Sequence, residues 1–508
     1  MVTSSNWRSV FPDSGNNLAA LHEKLATTTN PSVYNRSVQV VGDRLFFMVR
    51  EGLERKLVVV GEADDGFSGD VEQVHAYQVK VCPLTTANRQ ELQRVFSWLF
   101  PQACGRQKAS IGLGDRLGLA TPGHIATVRN RSIMPILAQQ SIRELDLTGR
   151  NYTEVLDAAA WAVFQEGYAS GYGADGDHLK RKEDVKMALE LGFSMITLDC
   201  SEHINDKVSS MNDAEVDEQY AQLNPELRQY LETTYLNQTF TLASGSKITF
   251  TADHFKRMIL VYVKALAFAE EVYKTIIQPA GRSIDFEMSI DEVATPTTPQ
   301  DHYFVANELI ARGVQCNSLA PRFVGEFQKG IDYIGDPKQF EAEFKIHAEI
   351  ADHFGYKISV HSGSDKFMVF DIIGKYTNGR FHVKTAGTNW LEAVRVIAEV
   401  NPQLYREMHQ YALKYLDQAR KYYHVTFNEA DIPPLESLSD QQLPDLMNQP
   451  AARQAIHISY GVILQAKAAD GTYLFKDRLY RELLINQDLY TQRLKEHIGK
   501  HLDLLHVE

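Results

Sequence analysis

The densest cluster of chemically useful residues in the sequence is GYGADGDHLK, which runs from Gly171 to Lys180. Glycine-rich turns let the backbone approach a ligand closely, while Asp175, Asp177 and His178 offer hard and borderline donors to a metal ion. The segment therefore indicates a ligand or metal site. The alternative is a solvated turn that is simply rich in Gly and Asp.

Several short apolar runs carry polar side chains on one face. In SIDFEMS, period-two alternation puts Asp285 and Glu287 opposite the apolar side chains. If the apolar face lies under helices, the acids point inward, where they are costly unless they are paired or used. In FSMITLDCS, KISVHS and FHVKT the same parity predicts inward side chains at Asp199, Ser359, His361, His382 and Lys384. Any one of these could be a satisfied core polar group, but together at strand ends they predict a site.

These runs belong to a series of eight candidate strands separated by segments of helical spacing. The strands are KASIGLG (from Lys108), IMPILAQQS (Ile133), GYASGYG (Gly167), FSMITLDCS (Phe193), SIDFEMSID (Ser283), VQCNSLAP (Val314), KISVHSGS (Lys357) and FHVKTAGT (Phe381). Eight strands with interposed helices over residues 105–400 predict an α/β fold, a TIM or (β/α)₈ barrel.

The segments outside this pattern have a different character. Residues 1–104 contain the strand-like runs SVQVVGDRLFFMV and RKLVVVGEA, which predict a β-rich N-terminal α/β segment that packs on the barrel. The gap between the strands that begin at Phe193 and Ser283 is too long for one βα unit. Residues from about 204 to 280 therefore predict a helical insertion, which either covers the barrel mouth or is simply exposed to solvent. Residues 401–508 are typical of a helical C-terminal extension.

The composition is that of a soluble globular protein. With 65 acidic and 52 basic residues, the formal net charge is −13, and the basic footprint of a general nucleic-acid binder is missing. The N-terminus has no apolar core of a signal peptide, and the longest apolar run is about twelve residues, where a bilayer needs nearer twenty. Four widely spaced cysteines suit free thiols. We expect a cytoplasmic protein that contacts neither nucleic acid nor membrane.

Several well-known catalytic patterns do not occur in the sequence. GLGDRLG, from Gly112, lacks the GxGxxG spacing and the acidic residue that follows it, which excludes a Rossmann unit. No GxSxG, HExxH or P-loop pattern is present. Arg116 is instead a candidate for the loop after the first barrel strand. HSGSDKF, which contains Ser362 and Lys366, offers small polar groups to a polyol or an anion.

Five longer motifs, in this order, resemble the bacterial tagaturonate epimerase family: GLGDRLGLATPGH, YASGYGADGDHLK, DFEMSIDE, LAPRFVGEFQKGIDYIGD and SVHSGSDKF. The resemblance covers nearly the whole chain. It implies a metal-dependent isomerase of hexuronate metabolism with a barrel fold. Such an enzyme interconverts D-tagaturonate and D-fructuronate by a C4-type inversion, and some members are studied as tagatose 4-epimerases.

The same resemblance implies roles for five residues, by motif match. Asp177 would be the proton acceptor and Glu287 the proton donor. His178, Gln328 and His361 would hold a divalent metal ion, whose identity as Zn, Mn, Ni or Co is open. Strand parity or segment composition also nominates four of these residues, but Gln328 rests on the resemblance alone.

An anionic substrate on an acidic chain needs a local positive pocket. The candidates for binding the carboxylate and hydroxyls are Arg116, Lys180, Asp199, Arg322, Ser362, Lys366 and Lys384. The expected partner is a small sugar acid, and a homo-oligomer is compatible with the sequence. Two alternatives stay open: another metal-dependent sugar isomerase or aldolase on a barrel, and a non-catalytic protein that binds sugar acids.

Overall fold

Eight parallel strands close into a barrel in the computed structural model, which describes residues 6–61 and 66–508. Each barrel strand pairs with the barrel strand that follows it in the chain. The ring closes where the last barrel strand pairs with the first. Helices lie outside the ring and share its main apolar core. The predicted TIM barrel is therefore confirmed.

The bounds of the elements follow the chain. The strands are β1 (Val33–Val41), β2 (Arg44–Glu51), β3 (Glu54–Val60), β4 (Asp70–Val74), β5 (Tyr77–Pro83), β6 (Ser110–Gly112), β7 (Met134–Ser141), β8 (Gly173–Leu179), β9 (Met195–Asp199), β10 (Thr239–Thr241), β11 (Lys247–Thr249), β12 (Asp285–Ile290), β13 (Ser318–Pro321), β14 (Lys357–Val360) and β15 (Phe381–Lys384). The α-helices are α1 (Leu18–Ala26), α2 (Thr86–Val95), α3 (Thr121–Val128), α4 (Ile142–Thr148), α5 (Tyr152–Gln165), α6 (Lys182–Leu191), α7 (Asp213–Ala221), α8 (Pro225–Tyr235), α9 (Ala252–Val272), α10 (Pro299–Ala311), α11 (Pro337–Phe354), α12 (Phe367–Thr377), α13 (Thr388–Val400), α14 (Pro402–Lys414), α15 (Leu416–Arg420), α16 (Pro450–Ile458), α17 (Tyr460–Leu464), α18 (Lys476–Ile485) and α19 (Gln487–Leu504). The barrel order is β12-β13-β14-β15-β6-β7-β8-β9.

The third barrel strand lies later in the chain than predicted. The run GYASGYG, residues 167–173, turns instead of extending, since Gly167 and Gly171 have φ values of 54° and 93°. Strand β8 begins at the last residue of that run and continues through GADGDHL. The segment predicted to be a ligand-binding turn is therefore itself the strand.

Tertiary contacts explain why such a poor strand former is a strand. A Cβ on Gly173 would lie 2.4 Å from Ile136 Cδ1, so the side chain of the neighbouring strand packs directly against this position. Asp175 points into the barrel, where the Thr197 hydroxyl and the Lys384 ammonium donate to it. Neither partner is near Asp175 in the sequence. These long-range contacts therefore outweigh the low strand propensity of the Gly and Asp residues.

The N-terminal segment contains the predicted strands, arranged as an antiparallel sheet in the order β1-β2-β3-β5-β4. Its two faces are both buried: Phe47 packs against Trp7 on one side, and Phe46 packs against Phe96 on the other. Phe96 in turn contacts Phe164 on the barrel helix α5. Residues 1–5, at the N-terminus expected to lack a signal peptide, and 62–65, which hold the end of the run RKLVVVGEA, lie outside the described residues.

The segment between β9 and β12 contains α7, α8 and α9, as expected for a helical insertion, and also a hairpin of β10 and β11 that was not predicted. Although α9 has 21 residues, none of the described helices is long and apolar enough to cross a membrane. The exact boundaries of the three predicted domains stay a prediction.

The C-terminal extension is helical and has a core of its own. Buried side chains of α14, α16, α17, α18 and α19 pack there with the barrel helix α13. Helix α19 crosses α3 so closely that a side chain on Gly123 would lie 2.7 Å from Leu494 Cδ1. This packing brings α16 and the residues after α15 to the mouth of the barrel.

A buried histidine in this extension makes stability depend on pH. His409 on α14 lies 3.0 Å from the Tyr405 hydroxyl, and burial lowers its pKa to about 4. Because an unfolded histidine titrates near about 6.5, the unfolded chain takes up this proton first, and stability falls as the pH drops from about 6.5 towards 4. Between pH 7 and pH 5 the loss from this residue should be about 2 kcal/mol. We expect His409→Gln to reduce the difference in unfolding free energy between these pH values by that amount in urea titrations, and an unchanged difference would contradict the assignment.

Candidate active site

The carboxyl ends of the barrel strands surround a cavity of about 390 Å³. Strand ends and loops of the barrel form most of its wall, and residues 422–424 and His457 of the C-terminal extension complete it. In TIM barrels this end of the strands carries the active site. The cavity is therefore the place where the predicted site residues should meet.

A buried ammonium group organises the floor of the cavity. Lys384 Nζ lies 2.9 Å from Asp175 Oδ2, 2.8 Å from Asp177 Oδ1 and 3.0 Å from Glu287 Oε1, and it also donates to Thr197 Oγ1. The prediction that Glu287 and Lys384 point inward is confirmed. Four barrel strands thus deliver polar side chains to one buried cluster, which we call the Lys384 cluster.

The pKa values of the three carboxyls in the Lys384 cluster differ. Burial alone would raise them, but the ammonium and the neighbouring histidines hold the pKa of Asp177 and of Glu287 well below the ordinary range. Burial prevails at Asp175, whose pKa rises to about 6. Two ionised carboxylates around one ammonium leave a negative charge on this floor, which His178 and His361 balance when they are protonated and which a metal ion could balance in their place.

Asp285 was expected beside Glu287 but lies at the other end of the barrel. It is the first residue of β12, and its carboxylate accepts from the backbone N–H groups of Cys104 and Gly105 at 2.6 and 2.9 Å. Parity correctly placed Asp285 on the inner face, but it carries no information on depth along the strand. The interpretation of Asp285 as a site residue is wrong.

His178 occupies an irregular position at the end of β8. The pairing of β8 with β9 shifts between Gly176 and Leu179, and His178 has a φ of 53°. Its Nδ1 lies 2.7 Å from Asp177 Oδ1, an interaction that raises the pKa of His178 to about 10 despite the opposing effect of burial. This contact orients the ring and leaves Nε2 for a ligand.

His361 follows β14 and lies between two carboxylates. Its Nε2 is 2.8 Å from Glu287 Oε1 and its Nδ1 is 3.0 Å from Asp291 Oδ1. The ring centroids of His361 and His178 are 4.7 Å apart. The structure therefore brings together the two histidines and the two carboxylates, Asp177 and Glu287, that the sequence nominated.

Asp291 is a site residue that the sequence analysis missed. One ligand atom from each of His178, Asp291 and His361 lies within 4.8 Å of the other two, a spacing that could hold a metal ion. The parity that singled out Glu287 on β12 also points to Asp291, four residues later and one position beyond the strand. That signal was available but was not followed past the strand end.

A second histidine–carboxylate group, Asp365 with His497 and His501, is explained by its internal contacts. His501 Nε2 already accepts from the Asp365 backbone N–H at 3.0 Å, and Arg453 donates to Asp365 Oδ2 at 2.7 Å. The nitrogen of His501 that faces this group is thus occupied. The cluster ties α16 and α19 to the loop after β14.

Gln328 lines the cavity but is engaged elsewhere. Its Oε1 accepts from the Thr426 backbone N–H and from Gln454 Nε2, both at 3.1 Å. These partners belong to the C-terminal extension. The amide would have to leave them in order to reach a metal ion.

The predicted substrate-binding residues divide into two groups. Arg116, Arg322, Ser362 and Lys384 line the cavity. The other three, Lys180, Asp199 and Lys366, do not belong to its lining. Lys366 is fully buried and donates to three backbone carbonyls, while Lys180 lies 3.5 Å from Asp199. Arg143, Lys329 and His457 line the cavity without having been nominated, and only Lys329 had a sequence signal, as the neighbour of Gln328 in FQKG.

Comparisons with known proteins agree with this site and fold. A family profile described as tagaturonate epimerase (UxaE) matches residues 34–505. The chain is 41% identical over 476 residues to the tagaturonate/fructuronate epimerase of Thermotoga maritima, covering 93% of this chain and 96% of that protein. The native crystal structure of the fructuronate-tagaturonate epimerase UxaE from Cohnella laeviribosi matches with a TM-score of 0.92 and 53% identity, over 96% of this chain and 99% of that one. A glycerol complex of the same enzyme matches with the same TM-score and identity, over 97% and 99% of the two chains.

Proposed function

The chain belongs to the tagaturonate epimerase family, and from that membership we propose that it interconverts D-tagaturonate and D-fructuronate in the cavity at the barrel mouth. It is an epimerase, hence an isomerase. The observation that carries the proposal is the meeting of Asp177 and His178, from β8, with His361, from the end of β14, at one cavity, with Glu287 of β12 directly below them. A neutral ketose such as tagatose would lack only the carboxylate of this substrate.

The histidines support a divalent metal ion. A histidine that binds a metal commonly donates its other ring N–H to a carboxylate, which orients the ring. Asp177 occupies that position for Nδ1 of His178, and Glu287 occupies it for Nε2 of His361. We propose that His178, Asp291 and His361 hold the ion. Gln328 stays a proposed further ligand on the strength of the motif match.

When bound, such an ion supplies a Lewis acid for developing negative charge on oxygen. Zn, Mn, Ni and Co all suit two imidazoles with oxygen ligands. The protein residues contribute orientation: Asp177 and Glu287 fix the two rings, and Lys384 fixes both carboxylates.

We propose Asp177 as the proton acceptor by motif match, because it lines the cavity and its low pKa keeps it ionised. Glu287 is the proposed proton donor by motif match. It is fully buried below the cavity lining, and Lys384 and His361 lower its pKa. Glu287 therefore rests ionised, and a proton that it takes up during the reaction would pass to the cavity through Lys384, which lies 3.0 Å from Glu287 Oε1 and lines the cavity.

Two routes invert the hydroxyl-bearing carbon. In the first, Asp177 takes the hydroxyl proton and the bond between that carbon and its neighbour on the ketone side breaks. The electron pair goes to the ketone fragment as an enolate. The aldehyde fragment then turns its other face, the bond re-forms and the proton returns. In the second, a proton leaves the inverted carbon directly and returns on the opposite face. The first route is chemically easier, because no carbonyl adjoins the carbon that would lose its hydrogen in the second.

Metal removal tests the proposal. We expect chelator-stripped protein to convert tagaturonate at a rate reduced by a factor of 10² or more (about 3 kcal/mol), and add-back of Zn, Mn, Ni or Co to restore fructuronate formation, followed chromatographically. Asp291→Asn should need at least 10-fold more metal for half-maximal activity, since even the loss of a residue that only orients a ligand costs roughly 10–100-fold in metal affinity.

The possible results contradict different parts of the proposal. Full turnover after stripping would keep the epimerase but remove the metal from its mechanism. Wild-type metal demand in Asp291→Asn would exclude Asp291 as a ligand. No conversion with any of the four metals would point to a different sugar-acid substrate.

A further inference from the structure

Two buried side chains on the cavity wall have nitrogen atoms without a hydrogen-bond partner among the described residues. Arg116 donates through Nε and Nη2 to Glu144 Oε1 at 2.9 and 2.7 Å, and its guanidinium lies 3.9 Å from the centroid of the Tyr460 ring. Its third nitrogen, Nη1, has no partner among the described residues. Likewise His457, which is 1% exposed, has no partner for either ring nitrogen in that part of the chain.

These atoms are available to a ligand in the cavity. Buried polar groups in folded proteins are nearly always satisfied, by protein atoms or by ordered water, and a ligand that enters the cavity can take the place of that water. Both side chains line the cavity; an ion pair and stacking orient Arg116, and His457 packs closely against two glycines. A side chain on Gly387 would lie 1.9 Å from His457 Cε1, so this contact requires glycine.

Unpaired positive charge lies on the same wall. Lys329 donates to Ser362 Oγ at 2.7 Å, and the Arg143 guanidinium lies 5.0 Å from the centroid of the Tyr423 ring. Neither forms an ion pair with a described carboxylate, and both line the cavity. Arg116 lines the same cavity, so three cationic side chains surround it on this wall.

The backbone adds to this environment. Gly387, against which His457 packs, is the N-cap of the 13-residue helix α13, and no side chain caps its N–H groups. The helix follows β15, the last strand of the barrel in chain order, and the first N–H groups of a helix favour an anion. In TIM barrels the loops after the last two strands frequently form an anion site.

We propose that Lys329, Arg143, His457 and Arg116 Nη1, with the start of α13, form a subsite that binds the carboxylate of the sugar-acid substrate. The inference rests on the proposed function and deepens it. It assigns recognition of the substrate carboxylate to the cavity wall that the C-terminal extension helps to form. His178, His361 and Asp177 would then bind the keto end of the substrate. Selectivity for uronates over neutral ketoses would then come from Lys329 and Arg143, two residues outside the proposed acid–base and metal groups.

The test compares anionic and neutral compounds that differ only at one terminal carbon. Lys329→Gln should lower kcat/KM for tagaturonate by roughly 30–100-fold while changing kcat/KM for tagatose less than 3-fold, so that the preference for the uronate collapses. Lys338→Gln on the exposed start of α11 removes the same charge outside the cavity and should change neither value. Arg143→Gln should repeat the selective loss if Lys329→Gln folds poorly.

Binding without turnover makes the test independent of the reaction. In calorimetry, D-galactonate, which has no ketone, should bind the wild type at least tenfold more tightly than galactitol, and Lys329→Gln should abolish that difference. If Lys329→Gln lost kcat/KM equally for tagaturonate and tagatose, or lost none, the proposed subsite would be wrong. Equal binding of galactonate and galactitol by the wild type would also overturn it. Tighter binding of inorganic phosphate than of galactonate would replace the carboxylate by a phosphate. If the wild type turned over neither ketose but still preferred galactonate, the proposed function would fail while the subsite stood.

Discussion

Glu287→Gln should fold and lose about 10³-fold or more of its kcat on tagaturonate, since one positioned acid or base contributes roughly 10²–10⁴-fold. The amide has the size of the carboxylate and can keep contacts with Ser318, Thr197 and His361. It cannot hold or release a proton, and it loses the ionic attraction to Lys384 at 3.0 Å. Steady-state rates at saturating metal, with thermal denaturation to check folding, measure the effect.

Asp285→Asn is the matched control, because it makes the same chemical change on the same strand. Its carboxylate is bonded to the backbone of Cys104 and Gly105 outside the cavity. We expect a loss of stability with kcat within about threefold of the wild type. Wild-type turnover by Glu287→Gln would remove Glu287 from the mechanism.

Hydrogen isotopes add information on the route. If the carbon–carbon bond breaks and re-forms, the hydrogen on the inverted carbon stays in place, and NMR of product formed in D₂O should show no deuterium at that carbon. Deuterium there would instead support direct proton removal by Asp177 and return from Glu287.

Lys384→Met should destabilise the fold by about 3–5 kcal/mol at pH 7, the usual cost of leaving buried charges unpaired, and should abolish activity. The ammonium is the shared partner of Asp175, Asp177 and Glu287. Methionine fills the space but returns none of the charge. Urea unfolding followed by circular dichroism measures the loss.

The pH dependence of this variant distinguishes lost charge from lost packing. Without the ammonium, burial raises the folded pKa values of the carboxyls above their unfolded values. The folded state then binds more protons, and the deficit relative to the wild type should shrink as the pH falls from 7 towards 5. Adding Asp175→Asn to Lys384→Met should recover part of the stability at pH 7. A deficit that is constant with pH would mean that packing, not charge, was lost.

The barrel was predictable because its signals are local. Each barrel strand but one is a short apolar run bounded by helical spacing, and parity within a run reports which side chains face inward. That sufficed for Glu287, His361 and Lys384. It failed at β8, whose Gly and Asp residues are poor strand formers. There Gly173 packs against Ile136, and Asp175 accepts hydrogen bonds from Thr197 and Lys384 on other strands.

By itself, the sequence determined the fold class, the family resemblance and most of the histidines and carboxylates of the site. Only the tertiary structure decided how far along the barrel each side chain lies and which groups it contacts. It separated Asp285 from Glu287 along one strand, added Asp291 beside the histidines, and placed Lys366 among backbone carbonyls instead of in the cavity. It also carried His457 from the C-terminal extension to the barrel mouth. The physical reason is that strand periodicity fixes a direction, whereas distances between strands and from appended helices depend on packing that no local pattern encodes.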